Sequence, residues 1–142
     1  MSTLKNKIDF AVIISVKNAN PNGDPLNGNR PRENYDGYGE ISDVCLKRKI
    51  RNRLQDMGQD IFVQSDDRRN DEFRSLRERA DGYAELKKAG SDKDLFMKTA
   101  CEKWIDVRSF GQVFAYKGKN KEDESVSIGI RGPVSLQSAF SI

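Results

Sequence analysis

The chain contains no histidine. That absence removes Ser-His-Asp and Cys-His nucleophilic catalysis and most zinc chemistry, because both need an imidazole to take a proton or a metal. Cysteine is nearly as scarce: Cys45 and Cys101 stand far apart and form no CxxC pair. A zinc knuckle and a disulfide framework are therefore excluded, and two reduced thiols in a cytoplasmic protein are expected. No apolar run approaches the roughly 18 residues a membrane span requires. The opening MSTLKNKIDF has no apolar stretch after its charges, so no secretory leader is read there. Net charge is only +3, too small to mark a nucleic-acid binder by itself. Apolar residues are 36% of 142, one domain's worth of chain with a modest core.

What is present is concentrated near the first third. Residues 18–32 read NANPNGDPLNGNRPR, with Pro21, Pro25, Pro31 and two Asn-Gly pairs. This is turn chemistry, where glycine and asparagine accept positive φ and proline presets the turn. A helix follows over 42–57. Ser42 is its expected N-cap, Asp43 complements the positive end of the macrodipole, and Gly58 suits the left-handed position beyond its end. Leu46, Ile50, Leu54 and Met57 recur at helical spacing and are expected to face a core. Lys47, Arg48, Lys49, Arg51 and Arg53 place five bases in seven residues, against two acids, Asp43 and Asp56, in the whole of 42–58. A solvated face is the plain reading of such a run, and a grip on an anionic backbone is the functional one.

The remaining chain predicts an α+β domain. Ile8 to Val16 (IDFAVIISV) is β-branched and reads as a central strand buried on both faces, with Ile61 to Gln64 as a short strand beside it. From about 66 to 104 the chain reads as a charged helical insertion: Asp66–Gly90 is expected to pack thinly outside the core, and a second helical stretch, Asp92–Trp104, lines up Leu95, Phe96, Thr99 and Ala100 on one side. Residues 66–94 hold eight bases and nine acids, so this segment is close to neutral. WIDVRSFGQVFAY and SVSIGIRGPVSLQSAFSI flank a polar tip at 117–124 and predict a long hairpin over about 107–134, with Pro133 at an edge or bulge. Strand, helix, strand, insertion and hairpin make the opening of a ferredoxin-like or RRM-like antiparallel sheet in a single domain, 1–142. The β-like alternation running to Ile142 is read as the N-terminal part of a longer protein, incomplete at the C-terminus.

Four motifs, NPNGDPLNGNRPR, GEISDVCLKRKIRN, WIDVRSFGQVFA and IGIRGPVSLQSA, together resemble the backbone subunit of type I CRISPR effector complexes, in particular the type I-C (Dvulg) branch of the DevR-like RAMP family. They span residues 18–139 in the family's order. The resemblance implies an RRM-like fold and a non-catalytic subunit of the Cascade interference complex in antiviral defence. Such a subunit assembles in multiple copies along a CRISPR RNA and holds its backbone so that the bases pair with target DNA. It implies as partners the CRISPR RNA, the target DNA strand, copies of itself and the other Cascade subunits, with no cofactor, no metal and no membrane. It places RNA phosphate contacts on Lys47 and Arg51 in LKRKIR and on Ser42 at the helix start; Arg48 on the same helix, Arg30 and Arg32 in the turn-rich loop and Arg131 beside Gly132 are further candidates read from the residues.

Two other readings stand beside it. Related type III subunits cut RNA with an aspartate in an early loop, and Asp24 lies in such a loop. A metal-dependent endoribonuclease would need a second acidic ligand, and none is evident near Asp24, so a turn role for its carboxylate is the simpler reading. A regulatory protein-interaction domain is the third. Among the aromatics, Phe110 and Phe114 are candidates to stack on bases, although core packing is the commoner use of such residues. Gly111, Gly129 and Gly132 belong to no phosphate loop and are expected to mark bulges or close backbone approach.

Overall fold

The computed structural model describes residues 4–116 and 126–142. The protein is α+β, with several helices and small two-stranded sheets, an architecture compatible with the RRM-like class. It forms two compact units: one is the chain up to Ile41 with Phe140–Ile142, the other Ser42–Ala139.

In the first unit the turn-rich motif becomes a miniature hairpin. β1 (Gly23–Asp24) pairs antiparallel with β2 (Arg30–Pro31). Between them Pro25–Asn27 makes a 3-10 turn, started by the Asp24 carboxylate, which accepts from the Leu26 N–H at 3.0 Å. Gly28 and Asn29 both take positive φ and turn the chain back. β3 (Glu40–Ile41) follows, and the Ser141 N–H donates to the Gly39 carbonyl at 2.9 Å. Ile8 to Val16 corrects the expectation of a central strand. It has no regular structure, and Phe10 is 62% and Ile13 97% exposed. β-branched residues favour a strand only where a neighbour pairs the backbone and covers the side chains, and no strand among the described residues does so here.

The second unit holds the main core. α1 (Asp43–Asp56) starts and ends as the sequence indicates: Ser42 Oγ accepts from the Cys45 N–H at 3.3 Å, and Gly58 has φ +78°. α2 (Leu76–Gly82), α3 (Ala84–Lys88), α4 (Lys93–Lys103) and α5 (Ile105–Phe110) follow, each short. β4 (Gly111–Tyr116) and β5 (Val126–Arg131) then pair antiparallel from Gly111↔Arg131 to Tyr116↔Val126, the expected hairpin. Its polar tip lies outside the described residues. Ile105–Phe110, in WIDVRSF, is helical rather than β, because α5 turns the chain into the hairpin. Gly132, just past β5, has no room for a side chain, because the Ser109 carbonyl and Gly111 N–H lie where its Cβ would stand. Gly111 makes the same close backbone approach, against the Ile130 carbonyl, whereas Gly129 has open space around it.

Two further expectations are corrected. The charged stretch 66–104 is no thin insertion: it supplies Ala80, Leu86, Ala89, Phe96, Ala100 and Trp104 to a core completed by Phe62, Val107, Phe114 and Ile128. Its apolar residues are sparse but most land inward, with Ala84 and Leu95 (44%) exposed. Phe62 meets Trp104 and Phe114 at ring distances of 4.7 and 5.0 Å, and Phe96 meets Phe114 edge-on at 5.1 Å. Each such pair contributes about 0.5–1.5 kcal/mol beyond its burial. Ile61 to Gln64, in turn, is not a strand. Its amides are taken by a side chain: Phe62 N–H donates to Asp106 Oδ1 at 2.8 Å and Val63 N–H to Oδ2 at 3.0 Å. Its carbonyls accept from Arg79 at Phe62 (2.8 Å) and from Arg48 at Val63 (2.7 Å).

Asp106 has no exposed surface and also accepts from Arg51 Nε at 2.9 Å. Asp106→Ala leaves a buried guanidinium and two amides unpaired. A loss on the order of 3–5 kcal/mol is expected, read as the fall in the urea unfolding midpoint. A second pair gives a pH signature. Hydrogen bonding by Arg79, at 2.6 and 2.9 Å, holds the Asp71 carboxyl below its ordinary value. Its contribution to stability is present above the unfolded carboxylate pKa of about 3.9 and is lost as pH falls through the lower folded value. The stability difference between wild type and Asp71→Asn should be constant from about pH 5 to 8 and shrink below about pH 4.

Candidate nucleic-acid interface

The basic helix α1 is turned opposite to its hydrophobic pattern. Ile50 is 37% and Met57 61% exposed, Leu46 and Leu54 are half-buried, and Arg48, Arg51 and Gln55 point into the unit. The cause lies in what α1 packs against. Residues 61–68 present carbonyls and Asp106 presents a carboxylate, so long hydrogen-bond donors are what satisfy them. Gln55 Nε2 donates to the Arg68 carbonyl at 2.8 Å, and Arg68 pairs with Asp56.

The candidate contacts are thus held in different ways. Lys47 pairs with Asp43 one turn back at 3.0 Å, with 26% of its side chain exposed, and that hydrogen bond draws the Asp43 carboxyl below its usual value. Arg48 donates to Val63, and burial, then the neighbouring Arg51 charge, pull its pKa below the ordinary guanidinium value. Arg51 is 12% exposed, ion-paired to Asp106, with its guanidinium 5.1 Å from the centre of the Phe110 ring. That cation–π contact occupies a face of Phe110 that stacking would need. Phe114 is fully buried against Phe62 and Phe96, which removes it from base stacking, since a ring enclosed on its faces presents none to a base. Ser42 is committed to capping α1. Arg131 is exposed at the end of β5.

In the first unit Arg30 is exposed opposite Asp24, and Arg32 donates to Glu40 at 2.8 Å, a bond that raises its pKa further. Asp24 spends its carboxylate on the Leu26 amide, the turn role. Among the described residues no group of three or more His, Cys, Asp or Glu is placed to hold a metal ion. Both cysteines are free and half-buried, and burial pushes the Cys101 thiol up. No helix among the described residues is long and apolar enough to cross a membrane.

Lys49 and Arg53 are the exposed cations of α1 and sit one turn apart. Their spacing of four was as visible as that of Lys47 and Arg51. What was not visible was which of the two rows faces inward.

Residues 6–142 match the family described as CRISPR-associated protein Cas7. A protein of Haloferax volcanii named CRISPR-associated protein Cas7 is 33% identical over 129 residues, covering 87% of this chain and 36% of the relative. The chain belongs to the Cas7 family of CRISPR-associated proteins, and it spans about a third of the length of that relative.

The difference between the buried Arg51 pair and the more exposed Lys47 pair on the same row of α1 is measurable. Arg51→Ala should lower the thermal midpoint clearly, with a loss on the order of 3 kcal/mol from stranding Asp106. Lys47→Ala should stay within about 0.5 kcal/mol of wild type, as an exposed pair at this spacing allows. Equal effects in thermal unfolding would contradict the inward placement of Arg51.

Proposed function

We propose that this chain belongs to a non-catalytic backbone subunit of a type I CRISPR interference complex, of the type I-C branch, which holds a CRISPR RNA by its phosphates. Membership of the Cas7 family carries this reading, supported by the cation-rich α1 and the four-motif resemblance. Copies of itself, the other Cascade subunits and the target DNA strand are the partners that follow, in an intracellular antiviral defence. The phosphate contacts proposed for Lys47, Arg48 and Arg51 divide by what each must give up. Lys47 releases only a partly exposed carboxylate, so it can turn to a phosphate at little cost, and Lys49 and Arg53 offer exposed cations on the other row. Arg48 and Arg51 act chiefly by holding the helix. Arg30, Arg32 and Arg131 add cations outside α1, and Ser42 keeps the first turn of the helix formed.

Binding through phosphates is insensitive to sequence and sensitive to salt. Replacing Lys49 and Arg53 with Gln should weaken binding of single-stranded RNAs of different sequence alike. It should flatten the log–log salt dependence by about 1.4, taking ~0.7 per neutralised phosphate. An unchanged slope would remove Lys49 and Arg53 from the interface.

A further inference from the structure

The two Asn-Gly bonds of the turn-rich motif, Asn22-Gly23 and Asn27-Gly28, carry a reaction of their own besides shaping turns. An asparagine can be attacked at Cγ by the backbone nitrogen of the next residue. A Cγ–N bond forms and closes a succinimide ring; the backbone nitrogen gives up its proton, and Nδ2 takes one as it leaves as ammonia. Water then opens the ring at either carbonyl, leaving an aspartyl or an isoaspartyl residue. One water enters, one ammonia leaves, and no oxidant or reductant takes part. Glycine in the second position favours the attack, because no side chain shields the nitrogen or restricts the backbone rotation that brings it to Cγ.

The two bonds are equivalent in sequence and different in the fold. Asn22 is half-buried beside β1. Its Nδ2 donates to the Gly23 carbonyl at 3.1 Å, and its own carbonyl accepts from the Arg32 N–H at 2.9 Å. Gly23 is enclosed too, since a Cβ there would collide with the Asn29 side chain. Asn27 and Gly28 stand at the turn of the same hairpin, and both are exposed. The Asn27 side chain makes no hydrogen bond among the described residues. Gly28 has φ +61° and nothing within 4 Å of where its Cβ would be. The turn therefore needs glycine at 28 for its backbone, and the same need leaves the nitrogen beside Asn27 unshielded.

Other described asparagines are held back for separate reasons. Asn20 precedes Pro21, which has no N–H to release. Asn34 Oδ1 accepts from the Asp36 and Tyr38 amides at 3.0 and 2.9 Å. Asn52 lies inside α1, where the backbone cannot rotate without breaking the helix.

We propose that Asn27 is a site of spontaneous deamidation, singled out from Asn22 by the fold. The product sets a carboxylate in place of a neutral amide beside the strand that carries Arg30, and it lowers the net charge of +3 by one. In the isoaspartyl form the main chain runs through Cβ. The turn closed by the Asn29 N–H on the Asp24 carbonyl, at 2.8 Å, then gains one methylene. A charge and a register change are thus built into the tip of the hairpin and develop with time.

The test is incubation of the folded chain in mildly alkaline buffer, followed by mass spectrometry of the tryptic peptide that holds both asparagines. Conversion is read as the gain of about 1 Da on exchange of NH2 for OH, assigned to one residue by fragment ions. Asn27 should convert at least about tenfold faster than Asn22 in the folded protein and within about threefold of it in guanidinium chloride, where only the sequence acts. An isoaspartyl methyltransferase supplied with labelled S-adenosylmethionine should label the aged wild type, and aged Asn27→Ser at most about a tenth as much. The proposal is overturned if Asn22 converts as fast as Asn27 in the folded protein, if denaturant leaves their ratio unchanged, or if Asn27→Ser is labelled like wild type.

Discussion

A single buried carboxylate organises the second unit. Asp106, without exposed surface, takes the amides of Phe62 and Val63 and the guanidinium of Arg51 at once. Burying a charge is unfavourable unless partners fill its lone pairs, and here they do. The consequences spread outward. With its amides fixed, segment 61–64 needs no neighbouring strand, and Phe62 is set at the centre of the aromatic core. With Arg51 drawn inward, α1 presents Ile50 and Met57 to solvent and keeps its polar row inside. Arg79 completes the arrangement from α2, bridging the Phe62 carbonyl and Asp71 while only 6% exposed.

This explains which parts of the structure were legible in the sequence. Local chemistry was readable: Ser42 and Gly58 mark the ends of α1, a helix lies within Asp92–Trp104, and the β-rich runs on either side of the polar tip pair as a hairpin. These features depend on neighbours a few residues away. The inward row of α1 depends on a residue 55 positions later in the chain, and hydrophobic spacing carries no information about it. The same holds for the core role of 66–104, where Ala80, Leu86 and Phe96 look isolated in a charged run and meet only in three dimensions. Ile8 to Val16 had every local property of a strand and lacked only a partner.

The site was legible in kind and not in detail. The cluster of bases was plain, and so was the motif set that resembles the Cas7 family, which the comparison of residues 6–142 establishes. Composition did not separate structural cations from available ones. Net charge is +3, yet Arg32, Arg51, Arg68, Arg77 and Arg79 are neutralised by carboxylates of the same chain. The surface potential therefore comes from the remainder, of which Lys49, Arg53, Arg69, Arg74 and Arg131 are exposed. Counting charges describes the whole molecule, whereas recognition depends on those left unpaired.

The Asp106–Arg51 pair also constrains how the chain can vary. Either residue alone is hard to replace, because its loss strands the other in a buried setting. Replacing both with apolar residues of matching volume is far less costly, although the Phe62 and Val63 amides would then need a new acceptor. Positions 51 and 106 thus form a linked pair that changes together or not at all, while any residue but proline at 62 and 63 keeps the amides that Asp106 accepts from. Lys49 and Arg53, on the opposite side of the same helix, are bound by no such linkage and are free to track whatever the surface meets.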